Sequence, residues 1–213
     1  MVYSPDGRLL ASGSDDGMVR IWDTRTSEEA ITPLQSNDGK VFSVAFNPNG
    51  LRLVSGGEGK VVHVWNASTG RAVLPPLRGH SNWIQSVAYS PDGMLIASGS
   101  GDNTIRLWNS VTGVQVFMMT RHTDSINEIT FSPDGQLLAS ASGDRTVRLW
   151  KSDTGEAVGN PLTDLEDEIR SLGFSPNGNV ATPRHRGTVM KDRSQRRGGC
   201  EMCKRCISQP ARI

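Results

Sequence analysis

Two stretches of the chain, SPDGMLIASGSGDNTIRLW at residues 90–108 and SPDGQLLASASGDRTVRLW at residues 132–150, differ at only a few positions. Each starts with a Ser-Pro-Asp-Gly turn and continues through an apolar segment to a turn of small residues. Each then ends in a segment that alternates apolar and polar residues before a tryptophan. Alternation with a period of two residues, bounded by Gly, Pro, Asn and Asp, is typical of β-strands. The two stretches therefore predict short strands joined by turns.

The same unit recurs along most of the chain. Five X-Pro dipeptides mark its copies, with prolines 43, 43, 42 and 43 residues apart and a glycine two positions after each: Ser4-Pro5, Asn47-Pro48, Ser90-Pro91, Ser132-Pro133 and Ser175-Pro176. Four tryptophans keep the same spacing, namely Trp22, Trp65, Trp108 and Trp150. Self-similarity at a fixed period of roughly 20–50 residues indicates a repeat architecture.

The third unit shows what one repeat contains. Its strand-like segments lie at residues 84–89, 94–98, 104–108 and 114–118, separated by turn residues. No stretch of the sequence has a convincing helical period. Four short strands in about 40–45 residues correspond to one blade of a β-propeller.

With these motifs the chain resembles the WD-repeat family over about residues 1–178. The dipeptide that names the family is present as Trp22-Asp23, and the Gly-His pair that opens a repeat is present as Gly79-His80. The resemblance implies an all-β fold of WD-type β-propeller blades, four recognisable four-stranded ones and a partial fifth. The repeats are expected at about residues 1–36, 37–79, 80–121, 122–164 and, in part, 165–178.

The number of repeats predicts an open or incomplete propeller, because WD propellers usually have about seven blades. In a repeat architecture each unit is stabilised by its neighbours, so an open arc leaves two terminal blades uncovered. Such uncovered blade edges favour self-association. The chain is accordingly expected to be a fragment of a longer protein or an arc that self-associates.

The end of the sequence differs in charge from the rest. Residues 1–183 hold 14 basic and 20 acidic side chains, whereas residues 184–213 hold 9 basic and 2 acidic ones. Residues 179–213 are therefore expected to form a basic, disordered tail. The tail supports an alternative function as a nucleic-acid or anionic-lipid binder, although residues 184–213 offer no aromatic side chain on which bases could stack.

Three cysteines in this tail, Cys200, Cys203 and Cys206, are spaced like part of a zinc site. Structural zinc takes four ligands, so no metal and no other cofactor is expected. Cysteine is absent from the preceding repeats, which fits a reducing compartment. The N-terminal residues lack the pattern of a secretory signal, and no apolar run approaches the ~20 residues of a membrane span. The expected compartment is the cytoplasm, with the nucleus as the other choice.

Two repeats carry a constellation that resembles a catalytic triad with an added indole. The third contains His80, Ser98, Asp102 and Trp108; the fourth contains His122, Ser140, Asp144 and Trp150 at matching spacing. A hydrolase using a His-Ser-Asp set is one interpretation. The family resemblance implies another, a buried hydrogen-bonded tetrad that fixes the loop before a blade to its third strand. Recurrence in successive repeats favours the structural tetrad, since an active site need occur only once.

The other repeats lack parts of this set. The second repeat has Asn37 in the histidine position and Gly59 in the aspartate position. The first repeat retains Ser12, Asp16 and Trp22, and its histidine position would precede residue 1. The fifth copy has Leu165 where the histidine is expected, so complete tetrads are predicted only in the third and fourth repeats.

The family resemblance also places a partner-binding face at the loops between blades. The positions that correspond to it are Asp15, Lys40, Phe42, Glu58, Trp83, Gln85, Gly101, Ser125, Asn127, Gly143, Glu168 and Arg170. Trp83 is the one tryptophan outside the regular spacing, and packing against a neighbouring blade is an equally open interpretation of it.

The function predicted from these features is a non-catalytic protein-interaction scaffold. In the WD-repeat family, near-identical copies are typical of rapidly duplicating arrays, which include sensor arms of signalling NTPases. By this analogy the resemblance implies a fragment or sensor arm of a larger signalling protein as a further expectation. The expected partners are other proteins; a small-molecule substrate, a membrane span and nucleic acid are not expected.

Overall fold

The computed structural model describes residues 1–35, 39–163, 169–176, 178, 180–181 and 189–190. Within them the chain forms five antiparallel sheets and no helix. Blade one consists of β1 (Val2–Tyr3), β2 (Leu9–Gly13), β3 (Met18–Asp23) and β4 (Leu34–Gln35). Blade two consists of β5 (Val41–Phe46), β6 (Arg52–Gly57), β7 (Val61–Asn66) and β8 (Leu77–Arg78).

The remaining sheets continue the series. Blade three consists of β9 (Ile84–Tyr89), β10 (Leu95–Ser100), β11 (Ile105–Asn109) and β12 (Gln115–Met119). Blade four consists of β13 (Ile126–Phe131), β14 (Leu137–Ser142), β15 (Val147–Lys151) and β16 (Ala157–Leu162). A last sheet contains β17 (Gly173–Phe174), β18 (Val180–Ala181) and β19 (Val189–Met190). In every sheet the strands lie side by side in chain order.

The Ser-Pro-Asp-Gly sequence makes the turn between the first two strands of a blade. In blade three the Ser90 hydroxyl donates to Asp92 Oδ1 at 2.6 Å and accepts the N–H of Leu95 at 2.9 Å. Gly93 closes the turn with a φ of 74°, a left-handed conformation that glycine adopts without steric cost. Asn47 replaces the serine in blade two, and its side-chain oxygen accepts the N–H of Arg52 at 2.9 Å. The turn therefore tolerates either residue because both supply the acceptor.

The hydrophobic core lies between neighbouring sheets. The cluster joining blades one and two, for example, packs Ile21 and Leu34 against Val44 and Phe46. Glycines in the second strand allow this close approach: a Cβ on Gly56 would lie 2.6 Å from the side chain of Ile84 in the next blade. Because each blade buries its apolar side chains against the next one, no blade has a complete core of its own.

The first strands of successive blades lie next to one another along the inner side of the arc. The Ser43 hydroxyl of β5 accepts the N–H of Val87 in β9 at 3.1 Å. In the same way, the Ser86 hydroxyl of β9 accepts the N–H of Ile129 in β13 at 3.2 Å. These bonds set the spacing of the inner strands, and the described sheets do not close into a ring.

The all-β fold of four recognisable blades in an open arc is confirmed. The predicted inner strand of blade three, at residues 84–89, has the predicted bounds, and the outer strand lies one residue later than predicted. Strands β18 and β19 lie beyond residue 178, within the segment predicted to form the tail, and the bounds of the repeats and of the tail stay predictions.

Candidate functional site

In blade three the four predicted tetrad residues form one hydrogen-bonded chain. The Trp108 indole N–H donates to the Ser98 hydroxyl at 2.9 Å. Ser98 Oγ lies 2.8 Å from His80 Nε2, and His80 Nδ1 lies 2.9 Å from Asp102 Oδ2. The residues come from the loop before β9, from β10, from the turn after it and from β11. The chain therefore connects that loop to the centre of the blade.

The electrostatics of this set assign each proton. Burial lowers the pKa of His80 below its ordinary value, against the raising effect of Asp102, so the imidazole is neutral at pH 7. Nδ1–H then donates to Asp102, and Nε2 accepts the hydroxyl proton of Ser98. An indole N–H can only donate, so every bond in the chain has a fixed direction: Trp108 donates to Ser98, Ser98 to His80, and His80 to Asp102.

Asp102 is held as a carboxylate by several donors. Burial alone would raise its pKa, but hydrogen bonds from the Thr104 hydroxyl, the Ser81 N–H and His80 outweigh burial and lower the pKa to about 2. The Thr104 hydroxyl donates to Oδ1 at 2.6 Å, and the Ser81 N–H donates to Oδ2 at 2.9 Å. Thr104 is thus a fifth member of the network.

Blade four repeats this arrangement. Trp150 donates to Ser140 at 2.8 Å, Ser140 Oγ lies 2.7 Å from His122 Nε2, and His122 Nδ1 lies 2.8 Å from Asp144. Thr146 donates to Asp144 at 2.7 Å, as Thr104 does in blade three. The two threonines are not among the predicted site residues, although both near-copies have Thr two positions after the aspartate.

The accessibility of the serines bears on the hydrolase interpretation. Ser98 and Ser140 are both 0% exposed, and each hydroxyl already lies between an indole donor and an imidazole acceptor. A substrate carbonyl cannot reach either oxygen in this geometry, and nucleophilic attack requires such an approach. The geometry of both sets therefore favours a structural tetrad over a catalytic one.

Blades one and two contain only part of the network. In blade two Trp65 donates to Ser55 at 2.9 Å, and Gly59 supplies no carboxylate. In blade one Trp22 donates to Ser12 at 3.2 Å. Asn37 and Leu165, in the histidine positions of the second and fifth repeats, lie outside the described residues.

The loop face carries an exposed aromatic pair. Trp83 is 44% exposed and Phe42 is 37% exposed, and their ring centroids lie 5.8 Å apart at an angle of 56°. Phe42 belongs to β5 of blade two, whereas Trp83 immediately precedes β9 of blade three. Two predicted face residues that are 41 positions apart in sequence are thus brought together at the junction of two blades.

The remaining predicted face residues differ in how they are engaged. Lys40 Nζ lies 3.0 Å from Asp15 Oδ2, and this ion pair joins blades one and two. The backbone N–H of Lys40 donates to the Glu58 carboxylate at 3.2 Å. Asn127 donates to the Ile169 carbonyl at 3.0 Å, so its amide is used across a sheet boundary. Gln85, Ser125, Gly101 and Gly143 are partly buried, Arg170 is exposed, and Glu168 lies outside the described residues.

Two negative findings apply to the described part of the chain. No group of His, Cys, Asp and Glu side chains there is arranged to hold a metal ion. No helix in the same residues has the length and apolarity needed to cross a bilayer. Cys200, Cys203 and Cys206, like all residues of the basic tail except 180–181 and 189–190, lie outside the described residues.

Comparisons with known families agree with this architecture. The family model described as the IFT122 first beta-propeller matches residues 40–196. The model described as WD domain, G-beta repeat, matches residues 1–23. A search of the curated proteins found no match. Since the first of these models covers more than half of the sequence, the chain belongs to the IFT122 first beta-propeller family, within the WD-repeat β-propellers.

Proposed function

We propose that this protein is a non-catalytic protein-interaction scaffold that binds its partner at the loop face around Phe42 and Trp83. The observation that carries the proposal is the exposed aromatic pair. Large aromatic side chains bury much area at little entropic cost, and Trp is enriched among the residues that dominate binding energies. Membership of a WD-repeat family supports the same general function.

The backbone beneath Trp83 is held in place before any partner arrives. The Asn82 side chain donates to the Gly101 carbonyl at 3.1 Å, and the Gly101 N–H donates to the Trp83 carbonyl at 2.9 Å. The Ser100 hydroxyl adds a bond to the Asn82 carbonyl at 3.0 Å. A side chain presented from a fixed backbone loses less entropy on binding, so this support favours an anchor role for Trp83.

The tetrad extends this support into the blade. His80 and Ser81, which precede Asn82 and Trp83, both bind the carboxylate of Asp102. The loop that carries Trp83 is therefore attached to the buried network at one end and to β9 at the other. In this proposal the tetrads do not contact the partner; they position the surface that does.

The chemistry of the surface suggests the kind of partner. The aromatic pair presents apolar area, and Lys40, two residues before Phe42, forms an ion pair with Asp15 that supplies both signs of charge. A protein surface with an apolar side chain surrounded by polar groups complements such a patch.

We further propose that the protein acts in the cytoplasm, as a part of a larger signalling protein.

Capture experiments with matched variants test the proposal. Immobilised chain would be compared with Trp83→Ala, Phe42→Ala and the control Met94→Ala, which removes an exposed apolar side chain after a turn of blade three. Trp83→Ala is expected to lower the affinity for the captured partner protein at least about tenfold, as is typical when an interface anchor is removed. Met94→Ala is expected to retain it fully.

Thermal unfolding of the same variants separates binding from folding. Trp83 is nearly half exposed, so Trp83→Ala is expected to change the free energy of unfolding by about 1 kcal/mol or less. A loss of ~3–5 kcal/mol would instead identify Trp83 as a core residue. Either that loss, or capture that is equal for Trp83→Ala and wild type, would count against the proposed face.

A further inference from the structure

A groove follows the inner strands of the arc. It has a volume of about 520 Å³ and extends across β5, β9 and β13, where its lining includes Phe42, Gln85, Asn127 and Glu128. Phe42 also belongs to the exposed aromatic pair of the loop face. The groove is therefore continuous with the surface that is proposed to bind the partner.

One position in this groove changes its chemistry in blade four. The third residue of the inner strand is Ser43 in blade two and Ser86 in blade three, and each hydroxyl accepts a backbone N–H of the next blade. Blade four has Glu128 at this position, and the segment before β17 again has a serine, Ser171. A carboxylate thus replaces a neutral hydroxyl at one point of the groove.

The Glu128 carboxylate is partly buried without a cation beside it among the residues that the structure describes. Burial raises the pKa of Glu128 above its ordinary value, against the lowering effect of a hydrogen bond from the Ser171 hydroxyl. Of the described residues that line the groove, none is Lys, Arg or His. Because a carboxylate that is partly removed from water is stabilised by an opposite charge, this point of the groove favours a cationic ligand.

Side-chain amides in the same groove supply further acceptors. Asn127 donates through its side-chain nitrogen to the Ile169 carbonyl at 3.0 Å, which leaves Oδ1 as an acceptor. Gln85 of the neighbouring strand is partly buried and lines the groove as well. A guanidinium has five N–H donors in a planar fork, whereas an ammonium has three donors around a point charge. Several acceptors near one carboxylate therefore favour an arginine side chain.

We propose that the groove at Glu128 binds an arginine side chain of the protein partner, with the guanidinium paired to the Glu128 carboxylate. This assignment rests on the proposed function, because the arginine belongs to the same partner that covers Phe42 and Trp83. An apolar group of the partner lies on the aromatic pair, and the guanidinium enters the groove beside it. The partner is thereby specified as a protein that presents an arginine close to an apolar side chain.

NMR titration of the full chain with N-acetyl-arginine amide tests the arginine site. N-acetyl-citrulline amide is the control ligand, because citrulline has a neutral urea group of similar shape in place of the guanidinium. Wild type is expected to bind the arginine probe at least about tenfold more tightly than the citrulline probe, as charged hydrogen bonds exceed neutral ones. The largest shifts are expected at Asn127 and Glu128.

Three variants identify the group that binds the probe. Glu128→Gln keeps the size of the side chain and an acceptor for Ser171 but removes the charge, and Glu128→Ser introduces the residue that blades two and three carry here. Glu156→Gln is the control, since it removes an exposed carboxylate of the same blade. Both Glu128 variants are expected to bind the arginine probe at least about tenfold more weakly, and Glu156→Gln is expected to bind it like wild type. Thermal unfolding of each variant checks that the fold is retained.

Three results would overturn the arginine site. The first is a wild type that shows no saturable shift, or a Glu128→Gln variant that binds the arginine probe as tightly as wild type does. The second is an equal loss in Glu156→Gln, because the effect would then come from net charge. The third is tighter binding of N-acetyl-lysine amide than of the arginine probe, which would assign the site to an ammonium group.

Partner capture separates this proposal from the proposed function. If Trp83→Ala weakens capture and Glu128→Gln does not, the partner-binding face is supported and the arginine assignment is wrong. If the arginine probe binds at Glu128 but neither variant changes capture, the arginine site is supported and the partner-binding face is wrong. Weaker capture by both variants, together with binding of the probe, supports both.

Discussion

Blades one and three contain the same serine, aspartate and tryptophan positions but arrange the aspartates differently. In blade three the Asp102 side chain is buried and accepts bonds from His80, Thr104 and the loop backbone. In blade one the carboxylate of Asp16 is exposed and lies 2.8 Å from the guanidinium of Arg20. A buried carboxylate is stable only when donors surround it. The two carboxylates therefore differ in their donors: the loop before β9 encloses Asp102, whereas Asp16 pairs with an arginine at the surface.

The tryptophans follow the same trend. Trp108 and Trp150 are buried and donate to serines that are themselves bonded to a histidine. Trp22 is only partly buried, and its bond to Ser12 is longer at 3.2 Å. Trp65, in the incomplete network of blade two, is nevertheless buried and donates to Ser55 at 2.9 Å, so burial of the indole alone does not distinguish the complete networks.

The largest effect is expected from removing the buried carboxylate. Asp102→Ala leaves the His80 N–H, the Ser81 N–H and the Thr104 hydroxyl without their acceptor. A buried donor that loses its acceptor lowers the free energy of unfolding by about 1–3 kcal/mol. We expect a loss of about 3 kcal/mol in the free energy of unfolding, measured by urea titration. Asp16→Ala, the matched change in blade one, is expected to leave the midpoint unchanged. Similar losses for both variants would show that the aspartate position matters without its histidine.

A smaller difference is expected between tryptophans of complete and incomplete networks. Trp150→Phe removes the indole donor to Ser140 and some volume, and it should destabilise by roughly 1–3 kcal/mol. Trp65→Phe removes the bond to Ser55 and the same volume, but the second repeat has no histidine or aspartate at the network positions, so it should cost less. Denaturant titration of both variants measures the difference. Equal losses would contradict the view that Ser140 and His122 act with the tryptophan as one network.

The smallest effect is expected in the dependence of stability on pH. The folded-state pKa values of His80 and His122 are lowered, mainly by burial, so the unfolded chain binds protons more readily below pH 6.5. Stability from this source is therefore complete above pH 6.5 and declines as the pH falls. We expect the melting temperature to fall between pH 7 and pH 5.

A double histidine variant provides the control for this prediction. H80N/H122N should be less stable overall but should show a flatter profile between pH 7 and pH 5. Below that range, Asp102 and Asp144 contribute a second decline, because their folded pKa of about 2 lies under the ordinary value of 3.8. An equally steep fall in the double variant between pH 7 and pH 5 would assign the effect to other groups.

Much of the fold could be predicted from the sequence because its signals are local and repeated. The turn at Ser90-Pro91 and the alternation that ends at Trp108 are properties of neighbouring residues, and their recurrence reveals the blade. The spacing of His80, Ser98 and Asp102 likewise recurs in the fourth repeat, which marked the tetrad positions. Local chemistry repeated at a constant interval is the information that a single sequence conveys best.

The tertiary structure decided what depends on contacts between blades. The sequence alone left Trp83 equally open as a core or surface residue, and only the packing of blades two and three placed it beside Phe42 with 44% of its surface exposed. The outward turn of Asp16 was likewise invisible in the repeat pattern. Exposure and pairing are set by which surfaces meet in three dimensions, whereas the repeat pattern records only which residues are neighbours along the chain.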